Sequence, residues 1–266
     1  VIFGIIGVTS LGGPGALITT VPISKWFVNK RGKALAITSL GVPVGAMIFV
    51  PLTQYLIDYS GWRNTWMIFG LLAIIIIIPP ALLLLRRQPE DVGLLPDGED
   101  ISENDYIDSE VSWEFSEAVK TQVFWKIVIC LTVISMATGT IAIHRIPAFM
   151  DRGLDAQLIA WSTAFDAVCA GISTFTVGSL VKKIGIRILG TISFLFLAFA
   201  SLITIYAYSF FEIFISMAIF GLGIGGLMFI HSFIWADYFG RKNLGQIRGK
   251  VTPFILIFGG IGAPIA

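Results

Sequence analysis

Eight long runs without Asp, Glu, Lys or Arg, one of them broken only by Asp166, occupy most of this 266-residue sequence. The runs cover residues 1–24, 34–57, 64–85, 127–143, 156–181, 188–211, 213–236 and 251–266. A helix crosses the hydrocarbon core with about 20 apolar residues, whereas barrel strands are about ten residues long and alternate in polarity. The continuous runs therefore predict an all-α, multi-pass membrane protein with eight membrane-spanning helices.

The distribution of charge predicts how these helices are oriented. Charged residues make up 13% of the chain and the formal net charge is +1, which excludes a disordered chain and a nucleic-acid partner. Loops after the first, third, fifth and seventh runs hold four, four, three and four Lys or Arg residues, and the other loops hold one, two and none. Since Lys and Arg concentrate in cytoplasmic loops, we expect the richer loops to face the cytoplasm, in a cell membrane.

One acidic segment divides the chain. Residues 88–119 contain eleven Asp or Glu and no Lys or Arg. We therefore predict three units: residues 1–87 with three helices, a cytoplasmic linker over residues 88–121, and residues 122–266 with five helices. A short interfacial helix capped by Ser112 is expected near the end of the linker. The carboxylates lack an EF-hand-like spacing, and we predict neither a metal ion nor a cofactor.

The two large units repeat a pattern. The glycine-rich first run is followed by an aromatic pair, a basic turn and Gly32, and the glycine-rich seventh run is followed by the same series, ending at Gly249. Duplicated halves are typical of transporter folds, in which the substrate binds between the repeats near mid-membrane. The glycines from Gly221 to Gly226 lie in a fully apolar run, which favours close helix packing over a nucleotide-binding loop.

Several local motifs carry a family resemblance. They are Trp26-Phe27-x-x-x-Arg31-Gly32 with Gly41 and Gly45, Gly61-Trp62-Arg63, Arg86-Arg87-Gln88-Pro89-Glu90-Asp91-x-Gly93, His144 through Pro147 with Asp151-x-Gly153, and Trp235 through Arg241 with Leu244-Gly245 and Arg248-Gly249. Together they resemble the major facilitator superfamily, and the last two resemble its monocarboxylate and oxalate–formate antiporter branch. The resemblance implies two pseudo-symmetric helical bundles.

The same resemblance suggests which part of the fold is present. The eight runs would correspond to helices four to eleven of twelve, so that the fold is incomplete at both ends. The chain begins at Val1 rather than Met and ends at Ala266 inside an apolar run. We therefore expect this sequence to be a piece of a longer protein.

The resemblance implies a secondary active transporter that works by alternating access. Its branch suggests a small organic anion, a monocarboxylate or dicarboxylate, carried by proton symport or by anion exchange. Alternatives are a carrier or efflux pump for a neutral or cationic compound, with Asp166 as the attracting charge, and a transporter-derived sensor or scaffold. An intramembrane enzyme is not predicted, because the sequence lacks His-Glu-x-x-His, paired intramembrane aspartates and a serine–histidine arrangement on facing helices. Direct ATP drive is not expected, because the sequence lacks a nucleotide-hydrolysis motif.

Two ionisable residues are the leading candidates for solute binding. An ionisable group inside a span is costly, so Asp166 is expected to be a proton site or ion-pair switch, or else a carboxyl paired with a neighbouring helix for packing. Arg145 could grip a carboxylate bidentately while His144 couples binding to pH; the alternative is that Arg145 only reaches the outer headgroups. Related monocarboxylate carriers place an Arg one turn after the Asp, where this chain has Ala170.

Weaker candidates complete the predicted site. Trp161, Gln54 and Tyr55 could line the cavity, although Trp near a span end is usually an interface anchor. Asp237 and Arg241 could form a gate contact, or only a local salt bridge four residues apart. Arg31, in the basic turn, is a third gating candidate, and contact with anionic lipid is its alternative.

Overall fold

The structure is a computed structural model that describes residues 17–84, 86, 88–98 and 113–262. Within these ranges the chain forms helices and no strand. The helices are α1 (Leu17–Trp26), α2 (Arg31–Ser39), α3 (Gly41–Leu84), α4 (Phe115–Ala118), α5 (Gln122–Asp151), α6 (Ala156–Ile184), α7 (Ile186–Tyr206), α8 (Phe210–Phe239) and α9 (Leu244–Gly260). The predicted all-α fold is therefore confirmed.

Six helical segments of the described chain are long and apolar enough to cross a membrane. They are Arg31–Thr53, Tyr55–Leu83, Gln122–Asp151, Leu158–Ile184, Ile186–Tyr206 and Phe210–Phe239. The first and last predicted runs are helical where the structure describes them, as α1 over 10 residues and α9 over 17. The prediction of a multi-pass membrane protein is confirmed.

Helix α3 is two arms joined at a sharp turn. Gly61 has φ 78° and ψ 159°, a backbone conformation outside the helical region. The rings of Phe49 and Phe69 lie 5.8 Å apart, although 20 residues of continuous helix would separate them by about 30 Å. The chain therefore reverses direction at Gly61, where the sequence motif places a turn between two spans.

Helix α8 lies between α6 and α7 and approaches both of them closely. A Cβ atom on Gly221 would lie 2.3 Å from the carbonyl oxygen of Asp166, and one on Gly225 would lie 2.1 Å from that of Ala170. On its other side, a Cβ on Gly223 would lie 2.6 Å from the Leu197 side chain. Only a residue without a side chain fits such contacts, so the predicted packing role of this glycine series is confirmed.

The N-terminal part (α1–α3) meets the C-terminal part (α5–α9) along α6. Ala36 packs directly over Gly178, and Pro43 lies against Gly171. The first arm of α3 also has exposed side chains on both sides of Pro43, for example Val42 at 47% and Phe49 at 44%. The contacts described between the two parts lie toward one end of the helices.

The end of the helices at which the N-terminal and C-terminal parts are in contact is called the linker side, because the linker lies there. The interfacial helix predicted near the end of the linker is a single turn, α4, and its N-cap is Glu114. Ser112, the predicted N-cap, lies outside the described residues. The turn docks on the C-terminal part. The backbone N–H of Trp113 donates to the carbonyl oxygen of Phe239 at 3.2 Å, and the side-chain amide of Asn243 donates to the backbone carbonyl oxygen of Trp113 at 3.0 Å.

Candidate functional site

A buried ion pair joins α5 to α6 in the half of the structure opposite the linker side. The guanidinium of Arg145 donates from Nη2 to Oδ2 of Asp166. The two side chains are 8% and 10% exposed. Sixteen residues of α6, about 24 Å of helix, separate Asp166 from Lys182 at the linker side.

Helix α8 forms the third wall of this pair. The ring of Phe220 lies under the guanidinium, with 4.2 Å between the ring centroid and Cζ of Arg145, a favourable cation–π geometry. The adjacent Gly221 leaves room for the carboxylate, since a Cβ there would lie 2.8 Å from Oδ1 of Asp166. The glycine therefore serves the ion pair as well as the helix packing.

The pair has unused hydrogen-bonding capacity. Nε of Arg145 and Oδ1 of Asp166 are buried and lack a hydrogen-bond partner among the described residues. Burying two charges costs several kcal/mol per ion, roughly, unless their remaining polar atoms are also satisfied. Each partner of this buried pair therefore keeps one polar atom that could bind a further group.

The structure brings together two residues that the sequence singled out separately. Asp166 pairs with a neighbouring helix, as one of its two interpretations stated. Arg145 is buried and does not extend to the outer surface, so the headgroup interpretation is wrong for this structure. Ala170, one turn after Asp166, packs against Gly225, and the cation that pairs with Asp166 lies on α5.

The other predicted binding residues lie apart from the pair. His144 is exposed although it is next to Arg145, because consecutive helical residues point in different directions. Trp161 is 56% exposed, and Tyr55 is 65% exposed and stacks on Tyr59 with ring centroids 6.4 Å apart. The side chain of Gln54 lies outside what the structure describes.

Two predicted gating residues reach between the parts at the linker side. Arg31 donates from Nη1 to the carbonyl oxygen of Ala236 at 3.3 Å. Arg241 donates to the carbonyl oxygen of Lys25 at 2.9 Å and forms an ion pair with Glu90 at 3.3 Å. Each arginine therefore binds the part to which it does not belong, or the linker.

Asp237, the third gating candidate, faces the same junction. Together with Arg31 it lines a cavity of about 300 Å³ between α2, α6 and α8. The remaining lining residues are Val28, Val181, Lys182, Gly185, Ile186 and Phe233. The structure thus places Asp237 beside the basic turn of the N-terminal part, where it faces the positive charge of Arg31.

Two further contacts between the parts were missed by the sequence analysis, which counted their basic residues only as loop charges. Lys182 donates from Nζ to the carbonyl oxygen of Asn29. Arg248 donates to the hydroxyl of Thr20, and these residues are 1% and 2% exposed. No sequence signal marks a backbone carbonyl as a partner, and the position of Arg248 near a span end is one at which Lys and Arg usually reach the membrane surface.

The described residues hold no group of three or more His, Cys, Asp or Glu side chains arranged to bind a metal ion. Compared with models of known protein families, the chain matches the Major Facilitator Superfamily over residues 1–266. No curated protein matches it.

Proposed function

The chain belongs to the Major Facilitator Superfamily, a family of multi-pass secondary transporters, and on that premise we propose that its solute is a small organic anion. Arg145 and Asp166 form the binding and coupling pair of this proposal. The observation that carries it is the buried ion pair with one unused polar atom on each partner. The monocarboxylate and oxalate–formate branch is the proposed relationship within the superfamily.

The pair favours an anion over a cation. Asp166 already faces a guanidinium, so its charge is compensated and does not attract a second cation. A guanidinium has five N–H donors in a planar fork, and a solute carboxylate can bind two of them in place of Asp166. The aromatic ring of Phe220 contacts the face of the guanidinium and keeps it in place during this exchange of partners.

Charge balance supports proton symport over obligatory exchange. In the empty site the charges of Arg145 and Asp166 cancel, so the empty carrier can reorient without moving net charge through the membrane. When a carboxylate replaces Asp166, a proton on Asp166 keeps the loaded site neutral. One proton then accompanies each monovalent anion.

The contacts at the linker side support alternating access. Arg31, Arg241, Lys182 and Arg248 all bind across the junction there, so the two parts are held together on the linker side. If the linker is cytoplasmic, as the loop charges predict, the structure corresponds to an outward-facing state of a carrier in the cell membrane.

The test is counterflow of labelled oxalate, formate, lactate and pyruvate into liposomes that contain the full-length protein, with and without a pH gradient. We expect saturable uptake that other carboxylates inhibit and lipophilic cations do not. Arg145→Gln should abolish it, because an amide has neither the charge nor the fork of donors. Asp166→Asn should retain counterflow but lose accumulation driven by the pH gradient.

A matched control comes from another arginine. Arg63 stacks on Trp62, with 4.3 Å between Cζ and the ring centroid, and lies at the turn after Gly61, away from the pair. Arg63→Gln should leave the kinetics unchanged. Normal kinetics in Arg145→Gln, or inhibition by cations alone, would contradict the anion proposal. Absence of uptake of every solute class by folded protein would favour the sensor or scaffold.

A further inference from the structure

One linker carboxylate binds three backbone amides of the N-terminal part. Oδ2 of Asp97 accepts hydrogen bonds from the N–H groups of Val28 at 2.8 Å and Asn29 at 2.6 Å. Its Oδ1 accepts a third from the N–H of Lys30 at 3.1 Å. These amides precede the first turn of α2, where helix N–H groups lack intrahelical partners and the helix dipole favours an anion.

The same turn and the adjoining end of α1 provide two acceptors for the contacts between the parts. The carbonyl oxygen of Asn29 accepts from Lys182, and that of Lys25 accepts from Arg241 at 2.9 Å. The Asn29 carbonyl and the Lys30 N–H belong to one planar peptide group and point in opposite directions. Asp97 at the N–H end therefore orients the carbonyl end toward Lys182.

We infer that Asp97 is a positioning residue for the closed linker side: it holds the turn between α1 and α2 in the orientation that Lys182 of the C-terminal part binds. This inference rests on the proposed alternating access. Asp97 is charged, and hydrogen bonds in a chain polarise one another, so its negative charge at the N–H end makes the carbonyl oxygen of Asn29 a better acceptor for Lys182. Removal of that charge weakens the junction and shifts the carrier toward a state that is open on the linker side.

Asp97→Asn isolates the charge. Asp97 has φ 60°, in the left-handed region, and Asn tolerates that region as well as Asp does. The amide is isosteric, but it is neutral and only one of its two terminal atoms accepts a hydrogen bond. The variant thus keeps the backbone of the Pro96–Gly98 turn and loses the charged contacts.

Two cysteine probes report opening on opposite sides, in full-length protein that is otherwise free of reactive cysteines. Val181→Cys lies at the linker side, where Val181 is 5% exposed and packs against Gly32. Val168→Cys lies three residues before Gly171, farther from the linker side than the contact between Gly171 and Pro43, and Val168 is exposed. Membrane-impermeant maleimide is applied to each side of oriented vesicles without solute.

We expect Asp97→Asn to raise the labelling rate of Val181→Cys from the linker side by about tenfold and to lower that of Val168→Cys from the other side. Lys182→Met removes the contact from the opposite end of the same peptide group and should move both rates in the same directions. Since both changes act through one peptide group, the double variant should change the labelling rates by less than the product of the fold-changes of the two single variants.

The control is a capping carboxylate on the other side of the membrane. Asp155 accepts a hydrogen bond from the Leu158 N–H at 3.1 Å at the start of α6, and Asp155→Asn should leave the ratio of the two rates unchanged. Unchanged rates in Asp97→Asn, a rise at both probes, or a rise on the linker side without a fall on the other would overturn the inference. Because labelling needs no solute, failure of the anion proposal leaves this result interpretable.

Discussion

Gly225→Ala tests whether the close approach of α8 to α6 stabilises the C-terminal part. The new Cβ would lie 2.1 Å from the carbonyl oxygen of Ala170 and 2.7 Å from its Cα. Both contacts involve backbone, so no side chain can rotate away, and α8 must move by about 1 Å to restore ordinary van der Waals distances. Overpacking of this kind costs about 1–3 kcal/mol.

The displacement also stretches two hydrogen bonds between the helices. Thr174 donates to the carbonyl oxygen of Gly225 at 2.9 Å, and Ser173 donates to that of Leu222 at 2.5 Å. Each such bond between membrane helices contributes about 0.6 kcal/mol, so the total cost is about 2–4 kcal/mol. At about 2–4 °C per kcal/mol, the apparent Tm should fall by about 4–16 °C.

The assay is thermal unfolding of purified protein in detergent, followed by the loss of the monodisperse peak on size-exclusion chromatography. Gly139→Ala is the matched control, because Gly139 lies inside α5 and a Cβ there would meet no atom within 4 Å. That variant should be neutral or gain up to about 1 kcal/mol from the higher helix propensity of Ala. Equal Tm values for the two variants would refute the packing argument.

Two further predictions concern the turn of α3 and the buried Arg248. Gly61→Ala places a Cβ at φ 78° and ψ 159°, a region that essentially only glycine occupies, and should destabilise the protein by about 1–3 kcal/mol in the same thermal assay. Gly70→Ala, at a helical position where a Cβ meets no atom within 4 Å, should not be destabilising, and equal Tm values for the two variants would contradict the turn. Thr20→Val removes the hydroxyl that accepts a hydrogen bond from Arg248, and the loss of this buried acceptor should lower the free energy of unfolding by about 1–3 kcal/mol. Thr20→Ser keeps the hydroxyl and should retain most of that free energy. Equal stability of the Val and Ser variants would exclude the contact.

Much of the fold follows from the sequence because the bilayer imposes strong rules. A span must be long, apolar and helical, and six helical segments of the described chain satisfy these conditions where the sequence has runs without charge. The turn at Gly61 and the packing of Gly225 were predictable for a related reason, since a positive φ and a close helix approach both require glycine.

The pairing of Arg145 with Asp166 could not be predicted in the same way. The sequence identified both as costly charges inside or near spans, but their contact depends on how α5 and α6 are rotated and offset along their axes. Counting residues from the ends of α5 and α6 predicts only the offset of the two helices along their axes. The rotation is set by packing against α8, through Phe220 and Gly221, and neither residue carries a charge that would mark it.

The contacts at the linker side were harder still to predict, because most of their acceptors are backbone atoms. A count of Lys and Arg predicts on which side of the membrane Arg241 and Lys182 lie. It does not predict that Arg241 donates to the carbonyl oxygen of Lys25 in α1, or that Lys182 donates to that of Asn29 in the turn after α1. Asp97 had a local signal, since Pro96 and Gly98 around an Asp favour a turn. Its partners are three N–H groups that any sequence would provide, so only the folded chain distinguishes Asp97 from the other acids of the linker.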